Sequence, residues 1–288
     1  MREKTGKRIP ASQPVTTAIL VLLAVFALFP ALFMFLNSFM GKQEVVQSYG
    51  AVFDGSGDAV QFHLIPREAT LEGYAQVFLL SPEYLEKFWS SMLLAVSVVA
   101  GQTAVSCFAG YGFAKFRFPL KNAAFYLIII LMMMPVQVVM VSQYPVLNAL
   151  GLLGSYSAII LPGAFGAFGI FLITQVFSYV PDEIIEAAKL DGANHFQILF
   201  GVVIPYSKTG IASLIILSFI DNWNLVEQPI VFLKNRYQYP LSVFLASINT
   251  EQLDLAFVCG VMAIVPSVII YLFLKDALIE GIRNTNIL

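Results

Sequence analysis

Charge is what this sequence lacks most. Only 12% of its 288 residues are Asp, Glu, Lys or Arg, against about 25% in soluble domains. The shortfall is concentrated: none of the four occurs from Ile9 to Gly41, Phe88 to Ala114, Asn122 to Pro181 or Leu255 to Leu274. Histidine is nearly missing too. His63 and His195 stand alone, so neither is expected to hold a metal, and both are expected at the surface. Cys107 and Cys259 lie inside apolar runs, where a lone thiol behaves as a small hydrophobe. With 16 basic and 18 acidic residues the formal charge is -2, which offers nucleic acid no attractive field. These absences exclude a disordered chain, a disulfide-stapled secreted domain and a soluble enzyme.

Apolar residues fill the gap, at 58% of the chain and a mean hydropathy of +0.80. About 20 apolar residues suffice to cross a bilayer, so the chain is expected to span a cell membrane several times. Six spans are predicted near 15–39, 88–110, 123–145, 156–178, 209–233 and 255–275. All are rich in Leu, Ile and Phe and none alternates polar with apolar, which predicts an all-α membrane protein rather than a barrel. The apolar part of the first, Val15 to Phe39, is too long for a cleavable signal and lacks a small-residue cleavage site.

Orientation follows from Lys and Arg. With both termini cytoplasmic, the inner segments hold Arg2, Lys4, Lys7, Arg8, Lys115, Arg117, Lys121, Lys189, Lys208, Lys275 and Arg283, eleven of the sixteen. The outer side holds Lys42, Arg67, Lys87, Lys234 and Arg236. The organisation expected is therefore a cytoplasmic tail (1–14), a first transmembrane helix (15–39), an extracytoplasmic loop (40–87), a five-helix core (88–275) with a cytoplasmic loop at 180–208, and a cytoplasmic tail (276–288).

That cytoplasmic loop carries the most specific pattern. Pro181 to Gly192 predicts a short helix: Pro181 suits its first position, Asp182 and Glu183 suit the positive end of its dipole, and Gly192 can take the left-handed turn that ends it. Ile184, Ala187, Ala188 and Asp191 follow 3/4 spacing, so a small-residue face is available for close approach.

Glu186-Ala187-Ala188, three residues, Gly192, nine residues, then Val202-Val203-Ile204-Pro205 resembles the EAA motif of ABC-importer permease subunits, with Val202 and Ile204 as conservative departures. The resemblance extends to Leu64–Tyr74, Tyr111–Pro119, Met134-Pro135-Val136-Gln137, and Trp223-Asn224 followed by Pro229, phrases similar to carbohydrate permeases of the maltose type. The short tail is similar to the second, G-type subunit of such pairs, although Gly281 to Leu288 matches less closely. The resemblance implies type I importer architecture. It implies as partners a second permease, cytoplasmic ATPase subunits and an extracytoplasmic solute-binding protein. Glu186 would meet a basic residue of the ATPase, Ala187 and Ala188 would pack closely, Gly192 would set the turn and Pro205 would close the motif.

Asp221, Asn224, Glu227 and Gln228 fall within about 120° of one another on a continuous helix, and intramembrane ionisable groups usually face a protein interior or a water-filled cavity. With Trp223 as a ring for stacking, this stripe suits sugar hydroxyls lining a translocation pathway. Packing against a partner subunit, and an outer loop, remain open readings. Gly163, Gly166, Ala167, Ala100 and Ala104 suit close helix packing.

No Gly-x-x-x-x-Gly-Lys-Ser/Thr loop occurs and no nucleophile–base set is evident, so no cofactor is expected on this chain and ATP would be bound and hydrolysed by a partner. An ABC permease for a sugar, a di- or oligosaccharide by expectation, is the reading favoured. An ion-coupled carrier using Asp221 and Glu227 is the alternative, although it would be expected to show inverted repeats; a membrane enzyme lacks a catalytic constellation.

Overall fold

The computed structural model describes residues 12–54, 63, 65–80, 82–246 and 253–285. The basic cluster Arg2, Lys4, Lys7 and Arg8, together with Leu64 and the chain end after Thr285, lies outside the described residues. The described chain is helical but for short links and one isolated antiparallel bridge, Met40 to Ala69.

It divides into two compact units. One takes the described residues of 1–80 and 248–262. Its elements are α1 (Ser12–Asn37), α2 (Lys42–Asp54), the single turn α3 (Glu72–Ala75) and the beginning of a long C-terminal helix. So the segment expected as an outer loop has helices of its own. Tyr49 closes this unit: its hydroxyl donates to Asn37 Oδ1 (3.0 Å) and to the His63 carbonyl (3.1 Å), while its ring meets Phe33 and Phe257 edge-on. His63 is half-buried here and in contact with Arg67, a correction to the free surface residue expected.

The other unit takes the described residues of 81–247 and 263–288. It is built on α4 (Pro82–Lys115), a helix of 34 residues that starts before and ends after the predicted span 88–110. The third span is not one helix. α5 (Lys121–Met133) and α6 (Val136–Ala149) meet at 108°, because Pro135 drives Met134 out of the helical region (φ -71°, ψ 137°). The fourth survives as one span, Ser157–Ser178, although Phe165 and Gly166 separate α7 (Ser157–Ala164) from α8 (Ala167–Ser178).

Glycine lets α4 lie against this pair. A Cβ on Gly101 would stand 2.8 Å from the Cβ of Ala164, one on Gly110 2.8 Å from Ile173, and one on Gly163 2.7 Å from Val98. Gly166 and Gly169 give way to Gln102 and Ser106 in the same manner. Ala100 and Ala104, expected in helix contact, instead line an apolar cavity of about 520 Å³ with Phe108, Phe200 and Phe219.

After α9 (Asp182–Leu190) come α10 (His195–Ile198), a wide π-type turn at Leu199–Val203, and α11 (Ile204–Tyr206). Their axis meets α12 (Lys208–Trp223) at 79°. α13 (Glu227–Phe232), α14 (Leu241–Ala246) and α15 (Leu253–Thr285) complete the described chain. α15 runs past the predicted limit of 275 into the expected tail and contributes to both units. Among the described residues, four helices are long and apolar enough to cross a membrane, and six spans result if each bent pair counts as one.

Candidate functional site

The loop between α8 and α12 folds as a stapled hairpin. α9 starts after Pro181, which takes the cap position (φ -59°, ψ 137°) rather than the first helical one. It ends at Gly192, whose φ of +85° lies in the left-handed region that favours glycine. There the Ala193 N–H donates to Ala188 O and the Gly192 N–H to Lys189 O, both at 3.0 Å. That pair of bonds is a Schellman closure.

Asn194 then caps α10 in a reciprocal box. Its Oδ1 accepts from the Gln197 N–H (2.9 Å), and Gln197 Oε1 accepts from the Asn194 N–H (2.8 Å). One helix is closed and the next opened within three residues.

The hairpin is anchored by its apolar side. Ile185, Ile198, Leu199 and Val203 are buried in one cluster with Tyr111, Phe177 and Leu214, and Ala188 packs against its edge. What is left outside is Glu186, Ala187, Asp191 and Gly192, all exposed, with Leu190 at 89% exposure. Glu186, Ala187 and Gly192 are each exposed, whereas Ala188 is half-buried against the cluster. Pro205 stands apart at the bend: it lacks the N–H that a continuing helix needs, and the chain turns into α12 at Ser207 (φ -102°, ψ 16°).

A lysine that the sequence marks only for orientation fixes the start of this knob. Lys115, at the last turn of α4, donates Nζ to the Val180 carbonyl (2.6 Å) and to Asp182 Oδ1 (2.7 Å). Its side chain is 9% exposed while that of Asp182 is 78% exposed. The hydrogen bond from Lys115, then its charge, holds the Asp182 carboxyl below the ordinary carboxylate range. His195, expected to stand alone, lies exposed but in contact: its ring centroid is 4.7 Å from Phe116 and its Nδ1 is 3.4 Å from the Tyr111 hydroxyl.

The polar segment of the fifth span is arranged otherwise than a continuous helix would have it. α12 ends at Trp223, Asn224 has left the helix (φ -93°, ψ 12°), and α13 starts afresh at Glu227. The break follows from Pro229, whose ring clashes with a helical carbonyl four residues back, that of Leu225; Ser242 Oγ donates to this carbonyl instead. The predicted single stripe is thus two short pieces.

Trp223 is a further correction. It is 4% exposed, stacked on Phe219 (5.7 Å, 15°) and edge-on to Phe88, with its indole N–H donated to Ala263 O at 2.9 Å. Its ring is core and has no face open for stacking on a sugar. Asp221, Asn224 and Glu227 are exposed and Gln228 is half-buried. Glu227 accepts from Gln137 Nε2 at 3.0 and 3.1 Å, so the break in the fifth span is tied to the break at Pro135. Gln137 belongs to the permease-like phrase Met134–Gln137, but no periodicity marks it as a partner of Glu227.

Several apolar spans, two of them sharply bent, and an exposed helical knob between the fourth and fifth describe a multi-spanning membrane component. Residues 102–284 match the family described as binding-protein-dependent transport system inner membrane component, and the chain belongs to that family. It is thus a multi-pass inner-membrane protein of a transport system that works with a solute-binding protein. The family does not favour the ion-coupled carrier.

Among relatives, the sn-glycerol-3-phosphate transport system permease protein UgpE of Brucella melitensis is 27% identical, over 96% of this chain and 98% of its own length. The arabinooligosaccharides transport system permease protein AraQ of Halalkalibacterium halodurans is also 27% identical, over 90% of this chain and 91% of its own. The same fold occurs in the crystal structure of a bacterial ABC transporter involved in the import of the acidic polysaccharide alginate. That similarity has a TM-score of 0.77 and 23% identity, over 96% of this chain and 99% of that one.

Proposed function

We propose that this chain is one permease subunit of an ATP-driven importer, coupled through the 182–192 knob to a separate ATPase and paired with a second, different permease. The solute is proposed to be a di- or oligosaccharide. The observation that carries the coupling is the knob itself: a helix stapled at both ends, buried by Ile185 and presenting Glu186, Ala187 and Leu190 outward. A part that passes force needs a rigid body, a charged group for register and small residues for close contact. The knob has all three.

The class of solute is supported by the relative whose name cites arabino-oligosaccharides, whereas the other's name cites glycerol phosphate. Asp221, Asn224, Gln137, Glu227 and Gln228 offer the acceptors and donors that hydroxyl groups need. Two exposed carboxylates among them, Asp221 and Glu227, oppose an anion by like charge, which favours a neutral saccharide over a phosphate ester or an acidic polymer. ATP is bound and hydrolysed by the partner in this reading, with no cofactor on this chain.

The test is Glu186→Lys in the assembled transporter. The variant is expected to insert normally and to bind its ATPase roughly thirtyfold more weakly, the scale of removing one central side chain from an interface, with uptake falling in step. Normal uptake by Glu186→Lys would sink the coupling role.

A further inference from the structure

α4 is gripped at both ends by a lysine that reaches off it to loop carbonyls. At one end Lys87, 3% exposed, donates Nζ to Arg236 O (2.6 Å) and Tyr237 O (3.0 Å), with the ammonium 5.9 Å above the Tyr237 ring. One turn on, Ser91 Oγ accepts from the Leu241 N–H at 2.6 Å. At the other end Lys115 holds Val180 O and Asp182, the entry to the knob. An ammonium withdrawn from water is costly unless its donors are used. Both lysines use theirs on the backbone of a segment distant in sequence, which fixes that segment's position against the helix rather than that of a side chain.

The two lysines are 28 positions apart, about 42 Å along the axis. Between them α4 has no proline, and on the side facing α7 and α8 Gly101, Gly110 and Val98 pack so closely that a further methyl group would clash. A close-packed helix of this kind passes a displacement on as a rigid body. Neither lysine lies on the exposed face of the knob.

We propose that Lys87 and Lys115 are positioning residues at the two ends of one strut, so that movement of the knob is delivered along α4 to the segment 236–241 on the opposite side of the membrane. The strut rests on the coupling function proposed above. It adds a route by which the state of the ATPase reaches the side that receives the solute-binding protein.

The measurement is the ratio of binding-protein-stimulated to basal ATP hydrolysis, in the full transporter reconstituted in lipid nanodiscs. Lys87→Met and Lys115→Met are each expected to lower that ratio about fivefold or more, the lower end of coupling between distant sites, while the ATPase still co-purifies. Asp182→Asn and Ser91→Ala are milder changes at the two ends that leave one lysine bond or more in place, and they should lower the ratio by less. The double variant Lys87→Met/Lys115→Met should be no worse than the poorer single one, because a strut broken at one end transmits nothing further.

Losses that multiply in the double variant, or an unchanged ratio in both single ones, would overturn the strut. Failure of the unaltered chain to retain any ATPase would instead remove the coupling function itself, and the strut with it.

Discussion

The knob at 182–192 and the polar segment at 221–228 are both short, both polar, and both interrupted by glycine or proline chemistry. They are organised by different forces. In the knob the caps come from residues within the segment or beside it: Pro181 before, Gly192 and the Ala193 N–H after, Asn194 and Gln197 in the next turn, with Lys115 adding a remote hold on its first turn. In the polar segment Pro229 makes the break locally, but the bonds that hold the pieces come mostly from afar, with Ser242 taking the Leu225 carbonyl, Ala263 taking the Trp223 indole and Gln137 bonding Glu227. Local chemistry makes a piece that keeps its shape wherever it is presented, as a docking element must. Remote bonds make a piece whose shape changes when the helices around it move, which is what the pathway role proposed for it would require.

The contrast is broken most forcefully at Trp223. Trp223→Ala removes a buried ring between Phe219 and Phe88, and such truncations cost about 3–5 kcal/mol. The purified protein in detergent should melt markedly lower, while Asn224→Ala, at an exposed side chain that donates to the Ile220 carbonyl, should leave the melting temperature nearly unchanged. Equal effects from the two would mean that the segment is held by its own residues after all.

Gly192 tests the other side. A Cβ there meets nothing within 4 Å, so Gly192→Ala carries only the backbone penalty of a left-handed residue, about 1–2 kcal/mol. The expected result is a proportionate fall in ATPase affinity, read by titration of the ATPase onto the reconstituted permease. Gly192→Asn should recover part of it, since Asn tolerates that conformation best among the other residues. If Ala and Asn behave alike, the left-handed turn is not what shapes the knob.

How much of this the sequence disclosed follows the same division. The helix of the knob, its acidic first turn and its glycine stop were legible because propensity, capping and φ preference are local. The resemblance to a family motif grouped Glu186, Ala187, Ala188 and Gly192, but did not disclose the inward turn of Ala188. The break at Met134-Pro135 was readable from the restriction proline puts on its predecessor, yet hydropathy alone ran the third span straight through it. Pro229 is a residue that breaks helices by its nature, but nothing local told that the helix would already have ended at Trp223. Lys115 was hidden for another reason. A cytoplasmic lysine satisfies the positive-inside rule wherever its side chain points, and only the fold shows that this one points at Val180.

The smallest effect sharpens the comparison at the join between knob and strut. The Asp182 carboxyl is exposed, and the hydrogen bond and charge of Lys115 lower its pKa in the folded state. A group with a depressed folded pKa contributes stability above its unfolded value, about 3.9 for Asp, and loses it as pH falls through the folded value. The Lys115–Asp182 contribution should therefore be fully present at neutral pH and fall away progressively as pH drops from the ordinary Asp value toward the lowered folded one. Amide hydrogen exchange in α9, corrected for intrinsic rates and followed downward from pH 7, should show steady protection near neutrality and a small loss that begins as pH falls below about 4. In Asp182→Asn, which has no charge to lose, protection should be slightly lower at neutral pH and the acid step absent. A step of the same size in the variant would show that some other group opens the knob, and that Lys115 holds it by the Val180 carbonyl alone.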